Sequence, residues 1–103
     1  MTAGPPIGDR ATRVARIRAA LEAAFAPDRL EVVDDSARHA GHAGARDGRG
    51  HFNVEVVSEA FEGLGALARH RAVFAAVGTL METDIHALSI RAMTREEAAK
   101  AGG

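Results

Sequence analysis

Apolar positions along this chain change rhythm several times, and each rhythm names an element. From Asp9, an N-cap residue by type, Val14, Ile17, Leu21 and Phe25 recur at spacings of 3, 4 and 4. That pattern predicts one buried helical face, ended by Pro27-Asp28. The β-branched run Leu30–Val33 predicts a first strand. Phe52, Val54 and Val56 then alternate with His51, Asn53 and Glu55, the period-two signature of a half-buried strand. Helical spacing returns over Leu64–Met81, with Leu67, Phe74, Val77 and Met81 as the stripe, His70 on the same side and a break near Gly65. Thr83-Asp84 predicts a turn, and Ile85–Ala92 a third strand carrying His86, Leu88 and Ile90 on one face. Thr94-Arg95-Glu96-Glu97 has the form of a capping box that opens a short C-terminal helix.

The segment 34–50, rich in Ser, Asp, His and Gly, reads as a loop, and loops of that length inside small domains are commonly functional. The order is therefore α-β-β-α-β-α, with room for a split in the central helix. Such an order packs helices against one face of a small sheet, an α+β arrangement. Residues 1–8, with their Gly-Pro-Pro, read as a disordered lead, 9–100 as a single domain and 101–103 as a frayed end.

Length and composition narrow the function. A chain of 103 residues builds one core but not also a deep cleft with a lid. Only four residues are aromatic, all Phe, so the core rests on Val, Ile, Leu and Ala. No apolar run approaches the roughly 18–20 residues that span a bilayer. A net charge of −1 gives no overall pull on nucleic acid. Cysteine is absent, so the chain has no thiolate ligand of its own. Any metal must use His, Asp or Glu, or be shared with a partner that supplies thiols. Asp9 and Glu22 break the presequence-like pattern of Arg10, Arg13, Arg16 and Arg18, and the expected location is cytoplasmic. Twelve Arg against the single Lys100 point to a GC-rich bacterial genome.

Histidine is the conspicuous chemistry: His39, His42, His51, His70 and His86. His39-x-x-His42 offers two imidazoles to one metal, although that spacing also describes solvated loop side chains. His86 at a strand end is either a rim residue of the core or a ligand with one ring nitrogen exposed. Arg69 and Arg71 flank His70 and are expected in solvent or on a partner carboxylate. Glu31, Asp34 and Asp35 look like a solvated strand edge followed by turn formers. Ser36 and Ser58 lack a nucleophile-elbow setting, and no phosphate-binding loop is present. Gly41-His42-Ala43-Gly44 matches a Gly-x-x-Gly tetrapeptide but lies between two strands, whereas KH domains carry theirs between helices.

Four collinear blocks go further. Leu30–Ser36 with His39, then His51-Phe52 with Val57–Gly63, then Arg69-His70-Arg71, then Ile85–Ile90 with its Ile-His-Ala-Leu step resemble the BolA-like family. The resemblance covers about Arg13 to Thr94. It implies a class II KH-like fold, α-β-β-α-α-β-α, with a three-stranded mixed sheet and helices on one face. It also implies a non-catalytic partner of monothiol glutaredoxins, serving iron–sulfur trafficking, iron or redox sensing and stress response. In that setting a 2Fe-2S cluster is bridged by the glutaredoxin cysteine, a glutathione thiol and ligands of this chain. His86 matches one ligand position, and His39 matches the second in the loop-histidine branch. The extra His42 in a lengthened loop leaves His39 and His42 both open for that role. Arg69, His70 and Arg71 form the expected partner-binding surface. Alone, the chain is expected to be a monomer without a cluster. The alternative is a DNA-binding transcriptional regulator on the same fold, supported by the arginines of the first helix and by Arg69 and Arg71.

Overall fold

Helix α1 (Arg10–Phe25) opens the computed structural model, which describes residues 10–35 and 50–101. Strands β1 (Arg29–Asp34) and β2 (Gly50–Val57) follow, then a single 3-10 turn at Glu59–Phe61. Helices α2 (Ala66–Val77) and α3 (Leu80–Thr83) lead into β3 (Ile85–Met93), and α4 (Arg95–Ala101) closes the order. The strands form one mixed sheet in the order β1-β2-β3. β1 runs antiparallel to β2, and β3 parallel to it. A parallel return needs a long crossover, which α2 and α3 supply. The sheet is thus mixed and three-stranded, as the family resemblance implies. No helix among the described residues is long and apolar enough to cross a membrane.

The core joins α1, β2, α2 and the head of β3. Ile17, Leu21, Phe52, Val56, Phe61, Val73 and Ile85 have no more than 1% of their surface exposed. Burying each large apolar side chain contributes about 1.5–3 kcal/mol, so these residues dominate the fold's stability. The periodicity of α1 is realised as read, since Val14 and Phe25 pack against the same cluster as Ile17 and Leu21. Along β2, Phe52, Val54 and Val56 face the helices while His51, Asn53 and Glu55 are half-buried on the opposite face.

The Val57–Gly63 block is structural. Ser58 is buried: its Oγ donates to the Phe25 carbonyl (2.7 Å) and accepts from the Ala60 N–H (3.0 Å). Its own N–H donates to the Met93 carbonyl at 2.9 Å. One serine thereby ties the end of α1, the 3-10 turn and the end of β3. Phe61 then packs obliquely against Phe25, with ring centres 4.9 Å apart and planes tilted by 43°. Gly63, at φ +78°, takes the left-handed turn toward α2 that a side chain would strain.

The central helical segment departs from its sequence pattern. It ends at Val77 because Gly78 adopts φ +53°, and α3 restarts at Leu80. The split expected near Gly65 thus falls at Gly78, and Gly65 is the N-cap of α2. The buried face is also rotated. Val73 and Val77 are buried, whereas Leu67 is 64% and Phe74 40% exposed. The reason is Arg69, whose side chain is held beneath the helix by the contacts described below. Positions 69, 73, 76 and 77 share one face of α2, so anchoring Arg69 turns Leu67, His70 and Phe74 outward.

Helix α1 stops in strain. Ala26 sits at φ +43° with its N–H on the Glu22 carbonyl at 3.0 Å, a helix-terminating geometry that favours glycine. A left-handed alanine costs about 1–2 kcal/mol, and a glycine there loses part of that gain to unfolded-chain entropy. Ala26→Gly is therefore expected to stabilise the chain by about 0.5–1 kcal/mol in urea unfolding. No gain would contradict the strain assignment.

Candidate functional site

The head of β3 is fixed from three directions before any histidine is placed. The Asp84 N–H donates to the Leu80 carbonyl at 2.8 Å, closing α3. The Asp84 carbonyl accepts from the Gly50 N–H at 3.0 Å, which starts the pairing with β2. Its carboxylate, 2% exposed, accepts from Arg16 of α1 at 2.9 Å. Burial alone pushes the Asp84 carboxyl up. The hydrogen bonds from Thr83 and Arg16, with the charges of Arg16 and Arg13, outweigh it and hold the group below its ordinary value.

From this anchor the strand slips by one residue. Gly50 pairs with Ile85, but His51 pairs with Ala87, so His86 is an extra residue on β3 opposite that step. The bulge changes the phase read from the sequence. Strict alternation would place His86 on the face of Leu88 and Ile90; instead Ile85 turns into the core and His86 is exposed. Energy decides it, since exposing Ile85 forfeits about 1.5–3 kcal/mol while His86 gives up no hydration by pointing outward.

The slip brings two imidazoles together. The His51 and His86 rings lie with centres 5.4 Å apart at an interplanar angle of 51°. His51 is half-buried and His86 exposed, so both are reachable from one end of the sheet. No third His, Cys, Asp or Glu among the described residues joins them in a group that could hold a metal. His39 and His42 lie outside the described residues. Sequence reasoning left His51 without a role. Alternation with Phe52 put it on the outer face, but nothing local shows that β3 delivers a second histidine beside it.

The Arg69-His70-Arg71 triplet divides. Arg69 is held within the chain and does not project freely to solvent: its guanidinium forms paired hydrogen bonds to Glu97 at 2.6 and 3.0 Å. It also donates to the Leu64 carbonyl at 2.8 Å and to the Ala92 carbonyl at 3.0 Å, and lies 5.9 Å from the Phe61 ring centre. The carboxylate it grips is the chain's own. His70 and Arg71 are exposed, beside the outward-facing Leu67 and Phe74. Two arginines of α1 are engaged as well: Arg16 with Asp84, and Arg18 with the Leu30 carbonyl and Glu22.

A family model described as BolA-like protein matches residues 21–97. SufE-like protein 1 of Arabidopsis thaliana, chloroplastic/mitochondrial, is 43% identical over 84% of this chain, which spans 24% of that protein. Protein BOLA1 of the same plant, chloroplastic, is 39% identical over 91% of this chain, which spans 61% of it. The chain is thus shorter than two thirds of either relative. The DNA-binding transcriptional regulator BolA of Escherichia coli is 42% identical over 80% of this chain and 75% of its own length. The solved BolA domain of the Arabidopsis SufE1 superposes with a TM-score of 0.76 over 84% of this chain and 95% of that one.

The Arg69–Glu97 contact makes a pH prediction. The Thr94 N–H donates to the Glu97 carboxylate at 3.0 Å and the Glu97 N–H to Thr94 Oγ1 at 3.2 Å, completing the capping box. Hydrogen bonds from Arg69 first, then from Thr94, hold the Glu97 carboxyl down from its ordinary 4.5 to about 2. A depressed carboxyl contributes fully above its unfolded value, and the contribution is lost as pH falls from about 4.5 toward 2. Glu97→Gln keeps the capping geometry but loses the ion pair. Its melting temperature at pH 7 is expected to fall, with a shallower decline below pH 4.5 than in the parent. Parallel acid curves for the two proteins would refute the contact's role.

Proposed function

The chain belongs to the BolA-like family, and on that footing we propose that it is a non-catalytic partner of a monothiol glutaredoxin that helps hold a bridging 2Fe-2S cluster in transit. The observation that carries this reading is the placement of His86. It is an imidazole turned outward by a bulge, on a strand head anchored by Asp84, in a chain with no cysteine. The donor chemistry fits a shared cluster. This chain supplies imidazole nitrogen, and the glutaredoxin cysteine with a glutathione thiol would supply the sulfur. His86 is the proposed ligand of this chain, with His39 or His42 as the second from the loop.

Imidazole in place of thiolate leaves less negative charge on the cluster and raises its potential, as in Rieske centres. Only neutral imidazole binds, so acid loosens the complex. Both properties suit a labile cargo better than a permanent electron carrier. The chain's own part is to present nitrogen ligands on a rigid strand head and to dock the partner. His70 and Arg71, with Leu67 and Phe74, form the exposed surface proposed for that docking. The setting proposed is the cytoplasm, where thiols stay reduced.

The name of the Escherichia coli relative supports a second reading, DNA-binding regulation. Three of the described arginines weigh against strong autonomous binding. Arg16, Arg18 and Arg69 are committed to acceptors within the chain.

Visible absorption and circular dichroism on mixing with cluster-loaded glutaredoxin test the proposal. His86→Ala is expected to abolish the altered spectrum while the fold survives, because no large apolar side chain leaves the core. His39→Ala should weaken the spectrum and His42→Ala weaken it less. A folded His86→Ala protein with the parental spectrum would falsify the cluster reading. Salt-dependent DNA binding by the isolated chain would favour the second one.

A further inference from the structure

His51 stands in the assigned site's immediate surroundings without an assigned task, and its geometry beside His86 is measurable. A first-row divalent ion takes imidazole nitrogen at about 2.0–2.1 Å, which puts each ring centre about 3.2 Å from the ion. Two such rings at a tetrahedral angle have centres about 5.3 Å apart. The observed separation is 5.4 Å, and the rings are tilted by 51° rather than stacked face to face. The spacing of the two rings accommodates two nitrogen ligands sharing one ion.

The backbone under both rings is built before any ligand arrives. The His51 carbonyl accepts from the Asp35 N–H at 2.8 Å, and His51 is paired with Ala87 across the β2–β3 step. His86 lies two residues after Asp84, across the buried Ile85, and Asp84 is held by α3, β2 and Arg16. Both ligands thus sit on sheet backbone, where less ordering entropy opposes metal capture than on a free chain.

We propose that His51 and His86 form a two-imidazole site for a borderline first-row divalent ion such as Zn2+, completed by water in the isolated chain and by a partner's ligands in a complex. The inference shares His86 with the cluster reading and adds His51 as the residue that makes the position bidentate. Neutral imidazole nitrogen suits ions of this class, whereas Ca2+ and Mg2+ take oxygen ligands.

The test uses the full chain alone, with Zn2+ as the probe at pH 7.5, followed through the imidazole 1H–15N correlations of all five histidines. His51 and His86 are expected to shift together with one midpoint. His51→Gln should raise the His86 midpoint roughly tenfold or more, since the second nitrogen then no longer joins intramolecularly. The double variant His39→Gln/His42→Gln should leave it within about twofold, because those residues take no part. An unmoved His86 midpoint in His51→Gln, or zinc gathered on His39 and His42 instead, would reduce the pair to an ordinary ring contact and overturn the proposal. Should His51→Gln not fold, substoichiometric Cu2+ on the unaltered chain decides. It broadens His51 and His86 together if they share the ion, and broadening of one without the other overturns the site. Glutaredoxin is absent throughout, so failure here leaves the cluster reading standing. Failure of His86→Ala to alter the cluster spectrum would in turn leave a zinc result intact.

Discussion

The parallel pairing of β2 with β3, and the one-residue slip within it, is the constraint on which the rest of this structure turns. β2 is the central strand, so both its neighbours are set by its register. The Gly50–Asp84 hydrogen bond fixes where β3 begins, and burial of Ile85 fixes which way its first side chain points. A two-residue periodicity cannot satisfy Ile85, Leu88, Ile90 and Ala92 on one face. The strand accommodates them by carrying one residue more than its partner. Hydrophobic burial near 1.5–3 kcal/mol for an isoleucine outweighs the loss of one regular ladder step. The functional consequence is a by-product of packing, because the residue expelled from the ladder is His86.

Polar contacts then lock the elements that packing alone leaves free to rotate. Arg69 lies under α2 and reaches the Leu64 and Ala92 carbonyls, Glu97 of α4 and the face of Phe61. A guanidinium can serve several acceptors at once because its donors form a rigid planar fork; lysine could not reproduce the arrangement. Ser58 and the Arg16–Asp84 pair do comparable work at the two ends of β3. At the exposed rim, Arg95 reaches Asp28 and Glu59, pairs that solvent screens strongly. The histidines thus stand on a rigid head of strand, with α1, α2 and α3 all contributing to its position. A metal or cluster ligand presented this way avoids much of the ordering cost that a mobile side chain carries.

Chemistry and composition agree across these levels. A chain without cysteine cannot hold an iron–sulfur cluster by its own thiolates, and two imidazoles saturate no first-row ion. An incomplete ligand set is a defect in a resident metal site and an advantage in a site that must form and dissolve with a partner. The exposed Leu67 and Phe74 on α2 fit the docking face proposed above, since apolar side chains left outside the core are available to another surface.

Local pattern was enough for much of this. The α1 stripe of Ile17 and Leu21, the alternation along β2 and the Thr94–Glu97 capping box are legible because each depends on residues within one turn or one strand. The strand holding His86, Ala87 and Leu88 was legible from alternation, but a ligand role for His86 was singled out only by the family resemblance and is a proposal. Tertiary structure decided three things. It chose the buried face of α2, since Arg69 answers to Glu97 and Ala92, 28 and 23 residues further along the chain. It chose Gly78 over Gly65 as the helix break, although both are glycines and only one takes a positive φ. It also set His51 beside His86, 35 positions later by their numbering, because the bulge exists only where two strands meet. Sequence determines what a residue does within its own element. Which element it faces depends on how burial and pairing compete across the sheet, and that competition has no local signature.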